Sequence, residues 1–99
     1  MIVVEETEQC ITLRLPAEID YKLQQEFRKC YRNRPTDSSL SYEIDFQEVP
    51  SIDSSALGML LLLRSHCGED NSDIHLINCN ATIKNILRIT RFDTMFNVK

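Results

Sequence analysis

Three polar side chains, Asp53, Ser54 and Ser55, stand directly before one of the most apolar segments of the chain. A carboxylate or a hydroxyl at such a boundary is typical of a helix N-terminus, where its oxygen accepts a hydrogen bond from a free backbone amide. One residue is enough for that role, and Asp53 is suited to it. The two serines that follow are therefore the residues whose chemistry needs a further explanation.

A serine in the first turn of a helix is well placed to carry a phosphate. The free amides and the positive end of the helix dipole both stabilise an added anion there. Phosphorylation would add about −1.5 to −2 charges to a chain whose formal net charge is −4. From the residues alone, helix capping, which is the commoner use of such serines, and a phosphorylation switch both remain open.

Nucleophilic catalysis by these serines is not expected. A hydrolase serine typically stands in a G-x-S-x-G turn, and the glycines of this chain are Gly58 and Gly68 alone. On a helix that starts here, His66 lies ~18 Å from Ser54, too far to act as its base. His75 falls in a predicted strand, and no P-loop is present. From the residues alone, an enzyme is therefore not expected.

The cysteines and histidines do not form a typical metal motif. The four cysteines are widely spaced without a CxxC pair, which indicates reduced thiols. His66, Cys67, His75 and Cys79 offer two nitrogen and two sulfur ligands, but structural zinc usually takes its ligands from closely spaced pairs in tight turns. We expect neither a metal nor a cofactor.

Length and composition indicate one small soluble domain of 99 residues, with 42% hydrophobic and 26% charged residues. The net charge of −4 argues against binding to a nucleic-acid backbone. The longest apolar run, Met59 to Leu63, is far shorter than the ~20 residues that cross a bilayer. Glu5 and Glu6 follow the first four residues without a leader pattern, so a cytoplasmic protein is expected.

Hydrophobic periodicity predicts the element order β-β-α-β-α-β-α-β. The predicted strands are 2–6, 10–15, 41–46, 73–79 and 95–98, and the predicted helices are 20–32, 53–67 and 80–90. The polar segment 33–39 is interpreted as a turn. An opening hairpin followed by strand–helix–strand units predicts an α/β fold, with a mixed sheet of four to five strands and helices packed on it.

The central predicted helix is apolar nearly all round. Its apolar residues are Ala56, Leu57, Met59, Leu60, Leu61, Leu62 and Leu63. A helix of this kind is buried on more than one side, or lies partly against a partner.

The segment IDFQEVPSIDSSALGMLLLLRSH, residues 44–66, resembles the signature of the STAS domain, the fold of bacterial anti-sigma factor antagonists. AEID at 17–20 and the tail from 74 to 98 are similar to other parts of that family, so the resemblance covers essentially the whole chain. The wording SALGMLLLLR is similar to short antagonists in gammaproteobacterial phosphorelay circuits that control biofilm formation or motility.

The resemblance implies roles for individual residues. Ser54, the first hydroxyl after the aspartate, takes the position of the phosphoacceptor, Asp53 would hold the loop, and Ser55 would support the site. The implied partner-binding residues are Glu18, Asp20, Asp53, Ser54, Ser55 and Ala56. Two alanines depart from the family pattern, since Ala17 and Ala56 replace glycines.

The resemblance also implies a mechanism. The unphosphorylated form would bind an anti-sigma factor or an equivalent kinase or effector, phosphorylation of Ser54 by a serine kinase would abolish binding, and a PP2C-type phosphatase would restore it. A second function from the same family is the cytosolic subunit of a lipid-transport ABC system. Those subunits resemble Asp-Thr-Gly-Gly at this site, and the double serine here favours the switch.

Overall fold

Five strands and three α-helices alternate in the computed structural model, which describes residues 1–36 and 39–99. The strands are β1 Val3–Glu6, β2 Cys10–Arg14, β3 Ser41–Asp45, β4 Ile74–Ile77 and β5 Asn97–Val98, and the helices are α1 Tyr21–Tyr31, α2 Ser54–His66 and α3 Ala81–Ile89. This order confirms the prediction. Two short 3-10 helices, Glu69–Asn71 and Phe92–Thr94, were not predicted. The predicted turn at 33–39 includes Asp37 and Ser38, which lie outside the described residues.

The strands form one mixed sheet in the order β1-β2-β3-β4-β5. β1 is antiparallel to β2, and the remaining neighbours are parallel. The hairpin accounts for the antiparallel pair, because two strands joined by a short turn reverse direction, whereas each later pair is joined through a helix. The predicted mixed α/β sheet is therefore confirmed.

The helices pack on one face of the sheet. On that face the side chains of Ile11, Leu13, Tyr42, Ile44 and Leu76 are fully buried, and they form one cluster with the buried residues of α1, α2 and α3. The opposite face carries alternate residues that are mostly polar and, apart from the buried Asp45, exposed or only partly buried. The domain is thus two layers thick, with its core between the helices and one face of the sheet.

An N-cap side chain stands before each of the three helices, and the capping role predicted for Asp53 is confirmed. Asp20, Asp53 and Asn80 each accept, through Oδ1, a hydrogen bond from the backbone amide three residues later, at 2.9, 3.1 and 2.8 Å. Past the end of α2, Gly68 has a φ of 93°, in the left-handed region that favours glycine. Each helix is one residue shorter at both ends than predicted, because cap residues are only half inside a helix.

Helices α1 and α2 start at the same edge of the sheet. α1 follows β2 and α2 follows β3, and these strands are parallel neighbours, so both helices begin where the strands end. Leu60 and Leu63 of α2 are fully buried, whereas Leu61 and Leu62 remain 42% and 62% exposed. The leucine-rich helix is therefore covered on the side of the sheet but leaves an apolar stripe open to solvent.

Asp45, at the end of β3, joins the ends of three strands. Its side chain is buried, with 3% of the residue exposed. Oδ1 accepts hydrogen bonds from Asn78 Nδ2 at 3.0 Å and from the Gln47 amide at 2.9 Å, and Oδ2 accepts one from Arg14 Nε at 3.3 Å. Burial alone would raise the pKa of this carboxyl, but the hydrogen bonds and the Arg14 charge outweigh it and lower the pKa.

Replacing Asp45 by asparagine is expected to lower the free energy of unfolding by about 1–3 kcal/mol at neutral pH, because buried donors lose a charged acceptor. The folded-state pKa lies below the unfolded value of ~3.9, so the stabilisation by Asp45 is present above that pH and is lost as the pH falls through the folded-state pKa. Urea unfolding at pH 7 and pH 3 measures both effects, and the difference between wild type and D45N should shrink in acid.

Asp70→Asn is the matched control, because Asp70 pairs with Arg64 at 2.8 Å but its side chain is 96% exposed. We expect no measurable change in its unfolding midpoint. Equal losses in the two variants would contradict the role assigned to the buried carboxylate.

Candidate functional site

The loop between β3 and α2 is held by buried apolar side chains and by α3. Phe46, Val49 and Ile52 are buried in the core. The Val49 amide donates to the Phe46 carbonyl at 3.0 Å, and Asn80 Nδ2 donates to the Pro50 carbonyl at 3.0 Å. The same Asn80 side chain caps α3. The segment that leads to Ser54 is therefore held both by its buried side chains in the core and by the hydrogen bond from Asn80.

Ser54 is the first residue of α2 and is exposed. The carboxylate of Asp53 accepts the Ala56 amide at 3.1 Å, and its carbonyl accepts the Leu57 amide at 3.1 Å. The amides of Ser54 and Ser55 have no acceptor within residues 1–36 and 39–99. Asp53 thus supplies the cap, and Ser54 presents a free hydroxyl beside unused amides at the positive end of the helix dipole.

A shallow cleft connects this helix start with the loop between β2 and α1. Its volume is about 270 Å³, and its lining residues are Ile19, Ser51, Ile52, Asp53 and Ala56. Ile19 lies between Glu18 and Asp20, so the loop expected to face partners lies beside Asp53. Ile19, Ser51 and Ile52 were not predicted as site residues, because nothing in their types or spacing indicates that two separate loops meet.

The structure places five of the six predicted partner-binding residues at the surface. Glu18, Asp20, Asp53, Ser54 and Ser55 are exposed, although Asp20 and Asp53 also cap helices. They lie on the segments that lead from β2 to α1 and from β3 to α2, and Ile19 and Asp53 of these two segments line the same cleft.

The two alanines that replace family glycines are accommodated without strain. Ala56 is buried in the core, and it also lines the cleft. Position 17 does not require glycine, because its φ is not positive. The residues with positive φ in the described part of the chain are Gly68, Glu69, Asn78 and Arg91.

Neither histidine lies at Ser54. His66 stands at the opposite end of α2, where its Nε2 is 3.1 Å from the Arg34 carbonyl and its ring packs on Tyr31. His75 lies on β4, with Nε2 at 2.8 Å from Asp73 Oδ1. No imidazole therefore forms a nucleophile–base pair with this serine.

The cysteines are free thiols. Burial raises the pKa of Cys67 and of Cys79 to about 11, so both stay protonated at neutral pH and are poor nucleophiles. Within the described residues, no three or more histidine, cysteine or acidic side chains are grouped so as to hold a metal ion. In the same part of the chain no helix has the length and apolarity to span a membrane.

A larger surface feature, which we call the α1–α2 groove, lies between the two helices and was not predicted. Its volume is about 680 Å³. The groove is lined by Tyr21, Gln24, Gln25, Phe27, Arg28 and Tyr31 of α1 and by Ser55, Gly58, Met59, Leu61 and Leu62 of α2. The apolar residues on every side of α2 indicated that part of the helix could face a partner, but they did not indicate which side would remain exposed.

Comparison with known proteins identifies the class of domain. A STAS domain family model matches residues 1–99. A STAS-domain containing protein of Pseudomonas aeruginosa (strain UCBPP-PA14) is 38% identical over 88 residues, which are 89% of this chain and 86% of the relative. The chain therefore belongs to the STAS domain family.

Solved structures share the fold. An anti-sigma factor antagonist from Mycobacterium paratuberculosis matches with a TM-score of 0.78 at 18% identity, over 99% of this chain and 83% of the other. The anti-sigma factor antagonist SpoIIAA in its unphosphorylated form matches with a TM-score of 0.76, and the Bacillus cell fate determinant SpoIIAA in the phosphorylated form with 0.72, each at 16% identity. Both cover 100% of this chain, and the chain covers 88% and 91% of them.

Alanine substitutions at positions 53 and 54 are expected to differ in their effect on stability. Asp53→Ala is expected to lower the free energy of unfolding by about 1 kcal/mol, because the Ala56 amide loses its acceptor. Ser54→Ala should change it by less than about 0.5 kcal/mol, since the hydroxyl makes no hydrogen bond within the described residues. Thermal and urea unfolding measure both, and a larger loss for Ser54→Ala than for Asp53→Ala would reverse the assignment.

Proposed function

We propose that this protein is a phosphorylation-controlled binding module of the anti-sigma factor antagonist type, with Ser54 as the phosphoacceptor. The observation that carries the proposal is the exposed Ser54 hydroxyl at the first position of α2, beside the Asp53 cap and on a loop held by the core. In this proposal the unphosphorylated form binds an anti-sigma factor or an equivalent kinase or effector in the cytoplasm. A serine kinase adds the phosphate and a PP2C-type phosphatase removes it.

Two features favour Ser54 over Ser55 as the acceptor. Ser54 directly follows the cap and is not a lining residue of the α1–α2 groove, whereas Ser55 is one. Ser54 also takes the position of the phosphoacceptor in the family signature. Ser55 is assigned a supporting role at the partner surface.

The proposed effect of the phosphate is electrostatic and needs no change of fold. The similarity of this chain to both the unphosphorylated and the phosphorylated form of SpoIIAA, with TM-scores of 0.76 and 0.72, supports this aspect. Glu18, Asp20 and Asp53 already make the surroundings of Ser54 acidic. A further −1.5 to −2 charges, approximately, would raise the cost of burying this surface and would repel acidic groups of a partner.

The chain is proposed to be the substrate of the kinase and not an enzyme itself. The two histidines are engaged away from Ser54, and the buried thiols have a raised pKa. The proposed binding surface comprises Glu18, Asp20, Asp53, Ser54 and Ser55, with the buried Ala56 supporting it from below.

Incubation with the cognate kinase and ATP, followed by mapping with mass spectrometry, is expected to place one phosphate on Ser54. Ser54→Ala should abolish incorporation, whereas Ser55→Ala should retain it, because the neighbouring hydroxyl is not the acceptor. Phosphate on Ser55 in the wild-type protein, or undiminished labelling of Ser54→Ala, would contradict the assignment.

The switch is tested by titrating the cognate partner with wild type, Ser54→Ala and Ser54→Asp. We expect Ser54→Ala to bind as wild type does and Ser54→Asp to bind about tenfold more weakly, the equivalent of ~1.4 kcal/mol, because a charge is placed in the docking surface. Calorimetry or fluorescence anisotropy gives the affinities. Ser65→Asp, an exposed position near the other end of α2, is the control for added charge. Equal weakening by both aspartates would reject a local effect.

A further inference from the structure

We propose that the α1–α2 groove is the docking site for an acidic amphipathic helix of a partner protein. The inference rests on the proposed function, in that the helix belongs to the partner whose binding Ser54 controls. It adds a second surface to the residues around the helix start and specifies the chemistry of its occupant.

The groove has apolar walls that the chain itself leaves uncovered. Tyr21 on α1 is 71% exposed, and Leu61 and Leu62 on α2 are the exposed leucines of the apolar run. The side chains of Phe27 and Met59 are buried beneath them. Exposed apolar side chains that line one concavity indicate a binding surface, whereas scattered ones do not.

The shape of the groove fits a helix. Ser55 to Leu62 spans seven helical steps, or ~10 Å, about two turns of a bound helix. Gly58 leaves the α2 side open at its centre, because a Cβ built there would meet no atom within 4 Å. A side chain of the partner fits at this point, and apolar residues at i, i+3 or i+4, and i+7 would follow the groove.

The charges beside the groove select an acidic occupant. Arg28 lines it, and Lys22, Lys29 and Arg32 are exposed on or directly after the same helix. Across residues 1–36 and 39–99, none of these four side chains forms an ion pair. A cationic surface on a chain with a net charge of −4 favours a helix with carboxylates beside its apolar face.

The same charges disfavour a second copy of this chain as the occupant. A two-fold symmetric contact through the groove would place the cationic α1 surfaces of both copies against each other. A membrane surface is disfavoured by shape, because a concave site between two helices encloses a side chain but does not lie flat on lipid.

The position of the groove links it to phosphorylation. Ser55 lines the end of the groove that is nearest to Ser54. A phosphate on Ser54 would lie beside the first turn of the bound helix and repel its carboxylates. Docking and the phosphate would therefore oppose each other without any movement of α1 or α2.

The test starts from a display library of random peptides of about 16 residues, long enough for ~24 Å of helix, panned against the unphosphorylated wild-type protein. We expect recovered peptides to be acidic and amphipathic, with apolar residues at the helical spacing. Binding of the recovered peptides is then measured by fluorescence anisotropy. Leu62→Gln should weaken it about tenfold, since one leucine contact is lost.

Gly58→Leu is the second variant, and it is expected to fold even if Leu62→Gln does not. A leucine there has a higher helix propensity than glycine and fills the open part of the groove, so peptide binding should fall while thermal stability is kept. Arg28→Glu should also weaken binding of acidic peptides. Ile89→Gln is the matched control, because Ile89 is 69% exposed on α3, and it should bind as wild type does.

Several outcomes would overturn the inference. These are recovery of basic peptides, failure to recover any peptide above background, and equal binding by wild type and Leu62→Gln. Dimerisation in light scattering would also overturn it, if Leu62→Gln abolishes that dimerisation. So would binding to vesicles of phosphatidylcholine and phosphatidylglycerol that the same substitution abolishes. No kinase or phosphate takes part in the peptide assay, so a failure here leaves the role of Ser54 untouched. A failure to label Ser54 would remove the proposed link to phosphorylation and leave the peptide-binding result as it stands.

Discussion

The position of Ser54 depends on a buried carboxylate nine residues before it. Asp45 accepts hydrogen bonds from Arg14 at the end of β2, from Asn78 after β4 and from the Gln47 amide in the loop that leads to α2. A charged group in the interior is stabilised only if its hydrogen-bonding capacity is met, and here three donors meet it. Asp45 therefore joins the carboxyl ends of β2, β3 and β4 at the point where the chain leaves the sheet toward α2.

Parallel strand pairing determines what else lies at that edge. Because β2 and β3 run in the same direction, both crossover helices begin side by side, and each is capped by an aspartate. The same arrangement brings the loop around Ile19 against Asp53 and lays α1 along α2. One topological feature thus produces the acidic surroundings of Ser54, the shallow cleft and the α1–α2 groove, and the proposed switch and docking surface are adjacent for that reason.

Local signals made much of this predictable from the sequence. Asp20, Asp53 and Asn80 each combine a capping side chain with a following apolar period, so the helix starts were correct to within one residue. The exposure of Leu61 and Leu62 was not predictable, because a helix that is apolar on every side has no periodicity to show which side is covered. The hydrogen bonds of Asp45 join residues distant in sequence, and so does the cleft lined by Ile19 and the 51–53 segment, and neither leaves a local pattern. The two 3-10 turns follow residues with positive φ, Gly68 and Arg91, and only the glycine signals this.

Gly58, at the centre of α2, lowers the stability of the helix and, in the proposed docking mode, leaves room for the partner helix. Glycine in a helix interior costs about 1 kcal/mol relative to alanine, and at position 58 no neighbouring atom excludes a methyl group. Selection or engineering for thermal stability alone would therefore fill this site and make the groove shallower. In the proposed docking mode, a more stable form of the domain would therefore bind the partner helix less tightly, because the groove that receives the helix would be shallower.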